Sequence, residues 1–298
     1  MDDGLLRMVP LRKQQTIAGT AVVEGIGYWT GRDVRVEFRP APPGAGIVFV
    51  REDLPALPRI PATVAYCSDT PLRTTLRCGA VGVDMIEHVM AALAGLRIDN
   101  CFVHVDEQEM PGCDGSCFPL VEALLGAGIV PQDADRPAWL VREPIRLGEE
   151  DAWIEARPCC SRDPVLQYHL DYGPRSPISP QKLEVVLSPE VFCRELAPSR
   201  TFVLEEEALA LKAQGLGGRT TCRDLLVFGA EGPIGNSLRF SDECVRHKLL
   251  DMVGDLALAG CDLVGRIVAY RSGHRLNAEM VRAILAAACV PKGLKRCA

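Results

Sequence analysis

Hydrophobic and polar residues along this chain follow two periods, one typical of strands and one typical of helices. Between positions 34 and 38, apolar and polar residues alternate as they do in a half-buried strand. Further strands are predicted at 47–50, 101–105, near 138–147, 152–157, 165–171 and 182–187, and at 263–270. Helices are predicted over 84–96, 119–125, from 188 onward, over 205–211, 241–255 and 279–285.

The two halves of the chain share one order of predicted elements. Each half has a strand series, a histidine-bearing helix, another strand and a closing helix. In both helices a glycine follows the histidine by seven residues, His88 to Gly95 and His247 to Gly254. An internal duplication would bring the two helices together as equivalent elements. We therefore predict an α+β fold of two similar domains, each a β-sheet covered by helices.

The segment 130–137 is polar, contains two prolines and is the best boundary between these domains. We expect a flexible N-terminal tail over 1–14. The first domain then spans 15–133 and carries Glu87 and His88. The second spans 134–298 and carries His247, Asp251 and His274.

The helix predicted over 241–255 has a distinctive polar face. His247 and Asp251 are four residues apart, so they lie on one face with about 5–6 Å between their Cβ atoms. An imidazole and a carboxylate side by side make half of a zinc site. Asp255 lies one turn further on, where a carboxylate can orient a neighbouring imidazole. Taken alone, a solvated polar face with an incidental ion pair explains this common spacing better.

The helix predicted over 84–96 carries an adjacent Glu87 and His88 among apolar residues. Both polar groups are costly there unless something pairs with them. His88 could supply a third zinc ligand and leave a fourth position open for water, and Glu87 could take a proton from that water. An equally weighted alternative is a core histidine hydrogen-bonded to a carbonyl, with Glu87 facing solvent.

Composition narrows the function classes. The chain has 298 residues, 48% hydrophobic and 24% charged, with a net charge of -6, which is ordinary for a globular protein and argues against general nucleic-acid binding. No apolar run approaches the ~18 residues of a membrane span, and we identify no signal peptide. We therefore expect a cytoplasmic protein whose contact with a membrane surface, if any, is transient.

The 13 cysteines are predicted to be reduced thiols, because nothing indicates secretion. Cys113 and Cys117 are a weak zinc candidate, and the adjacent Cys159 and Cys160 cannot easily close a metal site. His104, on a predicted strand, is interpreted as structural.

Eight segments in order resemble the family of UDP-3-O-acyl-N-acetylglucosamine deacetylases, the zinc enzymes of lipid A biosynthesis. The resemblance extends from about residue 15 to 289 and implies two similar α+β domains with helices packed between two sheets. The segments are IEHVMAALAGL (86–96), IDN (98–100), DGS (114–116), SRTF (199–202), LRF (238–240), VRHKLLD (245–251), GD (254–255) and AYRSGH (269–274).

The resemblance implies that His88, His247 and Asp251 bind zinc, in agreement with the spacing argument, and that Glu87 is the general base. The same donor set also suits Fe²⁺. The implied substrate is an acylated UDP-amino sugar, from which hydrolysis of the N-acetyl group gives the free amine and acetate.

The resemblance also implies roles for five further residues. His274 would protonate the leaving amine or stabilise the charged intermediate, and Asp255 would orient His274. Thr201 would hydrogen-bond the oxyanion. Phe202 and Lys248 would contact the substrate.

The chain also departs from the family pattern. Trp29 stands where the glycine-rich turn of the family usually has histidine, and the segments at 111–113 and 235–237 differ too. Two alternatives therefore stay open, a relative that deacetylates another N-acetylated sugar and a zinc-binding relative without turnover. The presence of Glu87 and His274 argues against the second, since a structural zinc site needs neither. The sequence leaves the oligomeric state open.

Overall fold

Two five-stranded mixed sheets, with helices between them, form the fold in the computed structural model, which describes residues 11–288. The helices of the first half are α1 (Glu87–Gly95) and α2 (Phe118–Gly126). Its strands are β1 (Arg12–Ile17), β2 (Ala21–Ile26), β3 (Asp33–Pro40), β4 (Ile47–Arg51), β5 (Arg59–Pro61), β6 (Cys67–Ser68), β7 (Thr75–Cys78), β8 (Val81–Asp84), β9 (Cys101–Val105) and β10 (Ile129–Arg136).

The second half repeats this arrangement with a longer insertion before its histidine helix. Its helices are α3 (Pro189–Val191), which continues as a π-helix over Phe192–Leu196, α4 (Glu205–Ala213), α5 (Glu243–Leu256) and α6 (His274–Ala288). Its strands are β11 (Ala138–Leu140), β12 (Ile145–Glu149), β13 (Ala152–Arg157), β14 (Val165–Leu170), β15 (Gln181–Val186), β16 (Phe202–Leu204), β17 (Leu226–Gly229), β18 (Gly232–Pro233), β19 (Asp262–Val264) and β20 (Arg266–Tyr270).

The two large sheets have the same topology. Their strand orders are β2-β3-β9-β4-β5 and β12-β13-β20-β14-β15. The central strand of each sheet, β9 or β20, is antiparallel to one neighbour and parallel to the other. In the first half the histidine helix is followed directly by that central strand, and in the second half a short 3-10 turn and the short strand β19 lie between the two. The predicted α+β duplication is therefore confirmed.

Helices α1 and α5 pack against each other between the sheets, as predicted. Every residue of α1 except Ala94 is buried, which is the usual situation of a helix that is apolar all round. The predicted start at residue 84 is wrong, because Asp84 ends β8 and Met85 has a φ of 60°. That left-handed conformation cannot continue a right-handed helix, so α1 begins at Glu87.

The two glycines that follow the histidines allow close packing at two places on α1. A Cβ added to Gly254 would lie 2.1 Å from the carbonyl oxygen of Glu87, so α5 rests on the main chain of α1. A Cβ added to Gly95 would lie 2.2 Å from the ring of Phe192. Neither position therefore has room for a side chain.

The ends of the chain modify the predicted organisation. Residues 1–10 and 289–298 lie outside the described residues, but β1 begins at Arg12, inside the predicted tail. The Arg12 guanidinium donates to both Asp99 and Asp262, so it joins the two halves. Strand β1 pairs with β10, which occupies most of the segment interpreted as a domain boundary. The division of the chain at residue 133 stays a prediction.

We expect Gly254→Ala to lower the free energy of unfolding by about 1–3 kcal/mol, the usual cost of overpacking a core, although alanine favours a helix intrinsically. Urea unfolding measures the change. Gly126→Ala is the matched control, because a Cβ added there meets nothing within 4 Å. A Gly254→Ala protein as stable as the wild type would contradict the packing argument.

Candidate metal centre

Three buried side chains converge where α1 and α5 meet. His88 comes from the first turn of α1, and His247 and Asp251 come from one face of α5. One ligand atom from each lies within 4.8 Å of the others. Oδ1 of Asp251 is 3.3 Å from Nε2 of His247 and 3.7 Å from Nε2 of His88. The structure therefore brings together the three residues that the spacing argument singled out.

One carboxylate oxygen of Asp251 favours a bound cation in this cluster. Oδ2 of Asp251 accepts a hydrogen bond of 2.8 Å from Nζ of Lys248, but the buried Oδ1 has no hydrogen-bond partner among the described residues. A buried acceptor without a partner costs about 1–3 kcal/mol. A metal ion between Oδ1 and the two imidazoles would remove that cost.

The imidazoles present the correct nitrogen for such an ion. Nδ1 of His247 is 3.1 Å from the carbonyl oxygen of Ser199 and must donate to it, so Nε2 keeps its lone pair for the metal. Burial, reinforced by the neighbouring His247, lowers the pKa of His88 to about 3, so this imidazole is neutral at pH 7. A neutral imidazole is the form that binds metal.

The carboxylate is ionised despite its burial. Burial alone would raise the pKa of Asp251, but the charge of Lys248, more than any other group, holds it well below its ordinary value. Two histidines and one carboxylate make the donor set of a catalytic zinc site that leaves a position open. This set fits zinc, and it also fits Fe²⁺.

Glu87 lies beside the centre and faces the interior. Glu87 is only 4% exposed, so the alternative in which it faces solvent is wrong. Oε2 of Glu87 accepts a hydrogen bond of 2.9 Å from the main-chain N–H of Thr74. Burial raises the pKa of Glu87 to about 7, although the charge of His274 opposes the rise. A carboxylate with this pKa is matched to proton transfer near neutral pH.

His274, the first residue of α6, pairs with Asp255. Nδ1 of His274 is 2.9 Å from Oδ2 of Asp255, which is completely buried. Burial lowers the pKa of His274, but the charge and hydrogen bond of Asp255 outweigh this and raise the pKa to about 9. The imidazole therefore carries a positive charge at neutral pH.

Two of the remaining predicted residues, Phe202 and Lys248, pack against the same centre. The ring of Phe202 stands edge-on to that of His247 with 6.3 Å between centroids, and Nζ of Lys248 lies 5.9 Å from the Phe202 ring. Lys248 is thus held between a predicted metal ligand and an aromatic face. Thr201 precedes β16, and its main-chain N–H donates to the carbonyl of Gly115 at 2.7 Å. Its hydroxyl has no hydrogen-bond partner within residues 11–288, so it remains available to a ligand.

A buried ion pair, which the sequence argument missed, holds this segment in place. Nε of Arg200 donates to Oε1 of Glu243 at 2.8 Å, and the main-chain N–H of Arg200 donates to the same oxygen at 3.0 Å. Glu243 is the first residue of α5. Because it opens α5, the pair fixes Ser199 beside His247. Removing one partner of such a pair leaves an uncompensated buried charge.

Two further residues that contact Asp255 were also missed. Asn277 donates to Oδ2 of Asp255 at 2.8 Å, and it lies three residues after His274 on α6. The helical spacing could have indicated this pair. Thr74 donates its hydroxyl to Oδ1 of Asp255 at 2.5 Å. No local pattern connects residues 74 and 255, so the sequence carried no signal for this contact.

The turn in which Trp29 replaces the usual histidine is held by Glu109. The main-chain N–H groups of Trp29 and Thr30 donate to the two carboxylate oxygens of Glu109 at 2.8 and 2.9 Å. The guanidinium of Arg73 stacks on the Trp29 indole, 4.7 Å from its centroid. Position 29 is therefore part of a stacked tryptophan–arginine pair, and Arg73 of that pair directly precedes Thr74 in the sequence.

The weaker zinc candidate, Cys113 with Cys117, does not form a metal site among the described residues. Within residues 11–288 the cluster of His88, His247 and Asp251 is the sole group with metal-ligand geometry, and it includes neither Cys113 nor Cys117. All eleven cysteines in this range are free thiols, as expected. His104 is structural, with Nδ1 2.8 Å from Oε1 of Glu52. No helix among the described residues has the length and apolar character needed to cross a bilayer.

Comparisons with known proteins agree over almost the whole chain. The family model of LpxC, UDP-3-O-acyl N-acetylglycosamine deacetylase, matches residues 14–286. A UDP-3-O-acyl-N-acetylglucosamine deacetylase of Thermosynechococcus vestitus is 39% identical over 271 residues, covering 91% of this chain and 93% of that protein. Proteins of the same name from Myxococcus xanthus and Actinobacillus pleuropneumoniae are each 36% identical, covering 91% and 92% of this chain and 86% and 90% of their own lengths.

We expect the purified protein to contain about one equivalent of divalent metal per chain, because three protein ligands already converge. His88→Ala and His247→Ala should each lose most of it, as measured by elemental analysis. His169→Ala is the control, since His169 lies on β14 and takes no part in the cluster. Full metal content in both cluster variants would show that the metal, if present, is held elsewhere.

Proposed function

Because this chain belongs to the family of UDP-3-O-acyl N-acetylglycosamine deacetylases, we propose that it hydrolyses the N-acetyl group of UDP-3-O-acyl-N-acetylglucosamine in lipid A biosynthesis. The products are the free amine and acetate. The observation that carries the proposal is the buried Oδ1 of Asp251, which has no hydrogen-bond partner among the described residues and faces two imidazoles. Glu87 and His274 lie close enough to shift each other's pKa.

We infer that zinc is the metal held by His88, His247 and Asp251, with Fe²⁺ as the alternative that the same donors accept. When bound, zinc acts as a Lewis acid that polarises the amide carbonyl and lowers the pKa of water toward ~7. The rest of the chemistry belongs to side chains of this chain.

Glu87 is positioned to act as the general base. Its Oε2 is occupied by the N–H of Thr74, so Oε1 is left to take the proton of the attacking water. The interior location keeps this carboxylate basic enough for the task, since its pKa is about 7.

His274 is positioned to act as the general acid. An amine leaves readily only when it is protonated. Asp255 holds Nδ1 of His274, so Nε2 is left to give its proton to the leaving nitrogen. The free hydroxyl of Thr201 would donate to the oxyanion that forms as water adds to the carbonyl, and donors preorganised in this way are a large part of catalysis in acyl transfer. Phe202 and Lys248 would contact the substrate beside the centre.

A second candidate function is deacetylation of another N-acetylated sugar. The stacked pair of Trp29 and Arg73 favours it, because the family turn usually carries histidine at position 29. A relative without turnover is disfavoured, because a metal held only for structure would need neither the buried Glu87 nor the pair of His274 and Asp255.

We also propose that the protein works in the cytoplasm. The eleven free thiols within residues 11–288 suit a reducing compartment. Because the acylated substrate is amphiphilic, the protein would contact a membrane surface. We propose that this contact is transient.

The direct test is incubation of the metal-loaded protein with UDP-3-O-acyl-N-acetylglucosamine, with mass spectrometry to detect loss of acetyl. UDP-N-acetylglucosamine without the acyl chain and other N-acetylated sugars form the comparison arms. Turnover only of another sugar would favour the second candidate, and no turnover of any would contradict both.

We expect Glu87→Gln to lower kcat by roughly 10²- to 10⁴-fold, the range typical of a general base, while leaving the metal content intact. The amide keeps an oxygen that can accept from Thr74 but cannot take a proton. Steady-state kinetics and elemental analysis on the same preparation measure both effects. Glu122→Gln, an exposed change on α2, is the control. Near-normal turnover of Glu87→Gln would place the base elsewhere.

Asp255→Asn should move the basic limb of the pH profile to lower pH. The carboxylate is what raises the pKa of His274 to about 9, so without its charge the imidazole loses its proton at lower pH. Because the general acid must be protonated, activity then falls earlier as the pH rises. Asp133→Asn, at a fully exposed carboxylate, is the control. An unmoved basic limb would exclude His274 as the acid and make Lys248 the next candidate.

A further inference from the structure

Thr74 contacts both the base side and the acid side of the centre. It lies immediately before β7 and is only 3% exposed. Its main-chain N–H donates to Oε2 of Glu87 at 2.9 Å, and its hydroxyl donates to Oδ1 of Asp255 at 2.5 Å. Resting on the proposed function, we propose that Thr74 is a positioning residue that sets the general base and the acid-orienting carboxylate relative to each other.

The hydroxyl contact sets the rotation of the Asp255 carboxylate. His274 and Asn277 both donate to Oδ2, whereas Thr74 is the sole donor to Oδ1 within residues 11–288. The terminal torsion of an aspartate is broad, so donors on one oxygen leave it loosely defined. A donor on the opposite oxygen restricts that torsion. The direction of Oδ2, and with it the ring of His274, then depends on Thr74.

Thr74 is itself held rigidly at the beginning of α1. Its carbonyl accepts from the N–H of Ile86 at 3.2 Å, one residue before Glu87. Strand β7 then pairs with β8, Thr75 opposite Asp84. The branched side chain of threonine has few χ1 choices, so a fixed backbone also fixes the hydroxyl. One residue of the first half therefore determines an orientation in the second half.

Thr74→Val removes the hydroxyl, keeps the shape of the side chain and leaves the main-chain contact with Glu87 in place. We expect kcat/KM to fall about 10- to 100-fold, as for other changes in the outer shell of a metal site, with metal content unchanged. Thr74→Ser keeps the donor and should retain most of the activity. Thr75→Val is the matched control, because the hydroxyl of this neighbouring buried threonine has no hydrogen-bond partner in the part of the chain that the structure describes.

A double-mutant cycle separates positioning from general packing. In a His274→Ala background the hydroxyl of Thr74 no longer has an acid to orient. Thr74→Val should then change kcat/KM by no more than about twofold, the scatter expected of uncoupled sites. An equal loss in both backgrounds would overturn the proposal, as would a Thr74→Ser protein as impaired as Thr74→Val. Thr74→Ala serves as a second variant if the valine protein does not fold.

A second measurement does not depend on turnover. In proton NMR of the zinc-loaded protein, the Nδ1–H of His274 should give a downfield resonance, assigned by its absence in His274→Ala. We expect this signal in the wild type and Thr74→Ser and its loss by exchange in Thr74→Val. An unchanged signal in Thr74→Val would contradict the proposal. A wild-type protein without turnover would instead contradict the proposed function, and the two failures are thereby distinguished.

Discussion

Where α5 crosses α1, Gly254 rests against the main chain at Glu87, and no side chain separates the two helices. This close approach sets the distance between the His88 side chain and the pair of His247 and Asp251. It also places Glu87 within reach of the second half. The two sheets, the ion pair of Arg200 with Glu243 and the link through Arg12 all support the arrangement that this contact sets.

The duplicated helices have diverged in what they supply. Alignment of His88 with His247 places Ala92 at the position of Asp251 and Arg246 at the position of Glu87. The first half thus contributes one imidazole and the proposed base, whereas the second contributes an imidazole, the proposed carboxylate ligand and the proposed acid. Neither half contains a complete set. The two halves are alike in topology and complementary in chemistry.

Local patterns predicted most of the centre, and long-range contacts account for what they missed. The four-residue spacing of His247 and Asp251 and the polar pair in an apolar helix made the three converging side chains candidates. Each pattern alone left a bland alternative open, and the family resemblance decided between them. Helical spacing could not reveal that Met85 adopts a left-handed conformation, so the start of α1 was misplaced. The pairing of β1 with β10, and the contact of Thr74 with Asp255, join residues that are distant in sequence and follow only from the assembled fold.

The ring of Phe192 packs against Gly95 at the end of α1 that is away from the proposed ligand His88. This packing has a consequence for metal affinity. Ligands on two separate helices bind one ion tightly only while helix packing holds them at a high effective concentration. Free energy lost from the packing of α1 is therefore lost from metal binding as well, by linkage. In this fold the affinity for the ion is a property of the whole helix pair, including positions that no ligand touches.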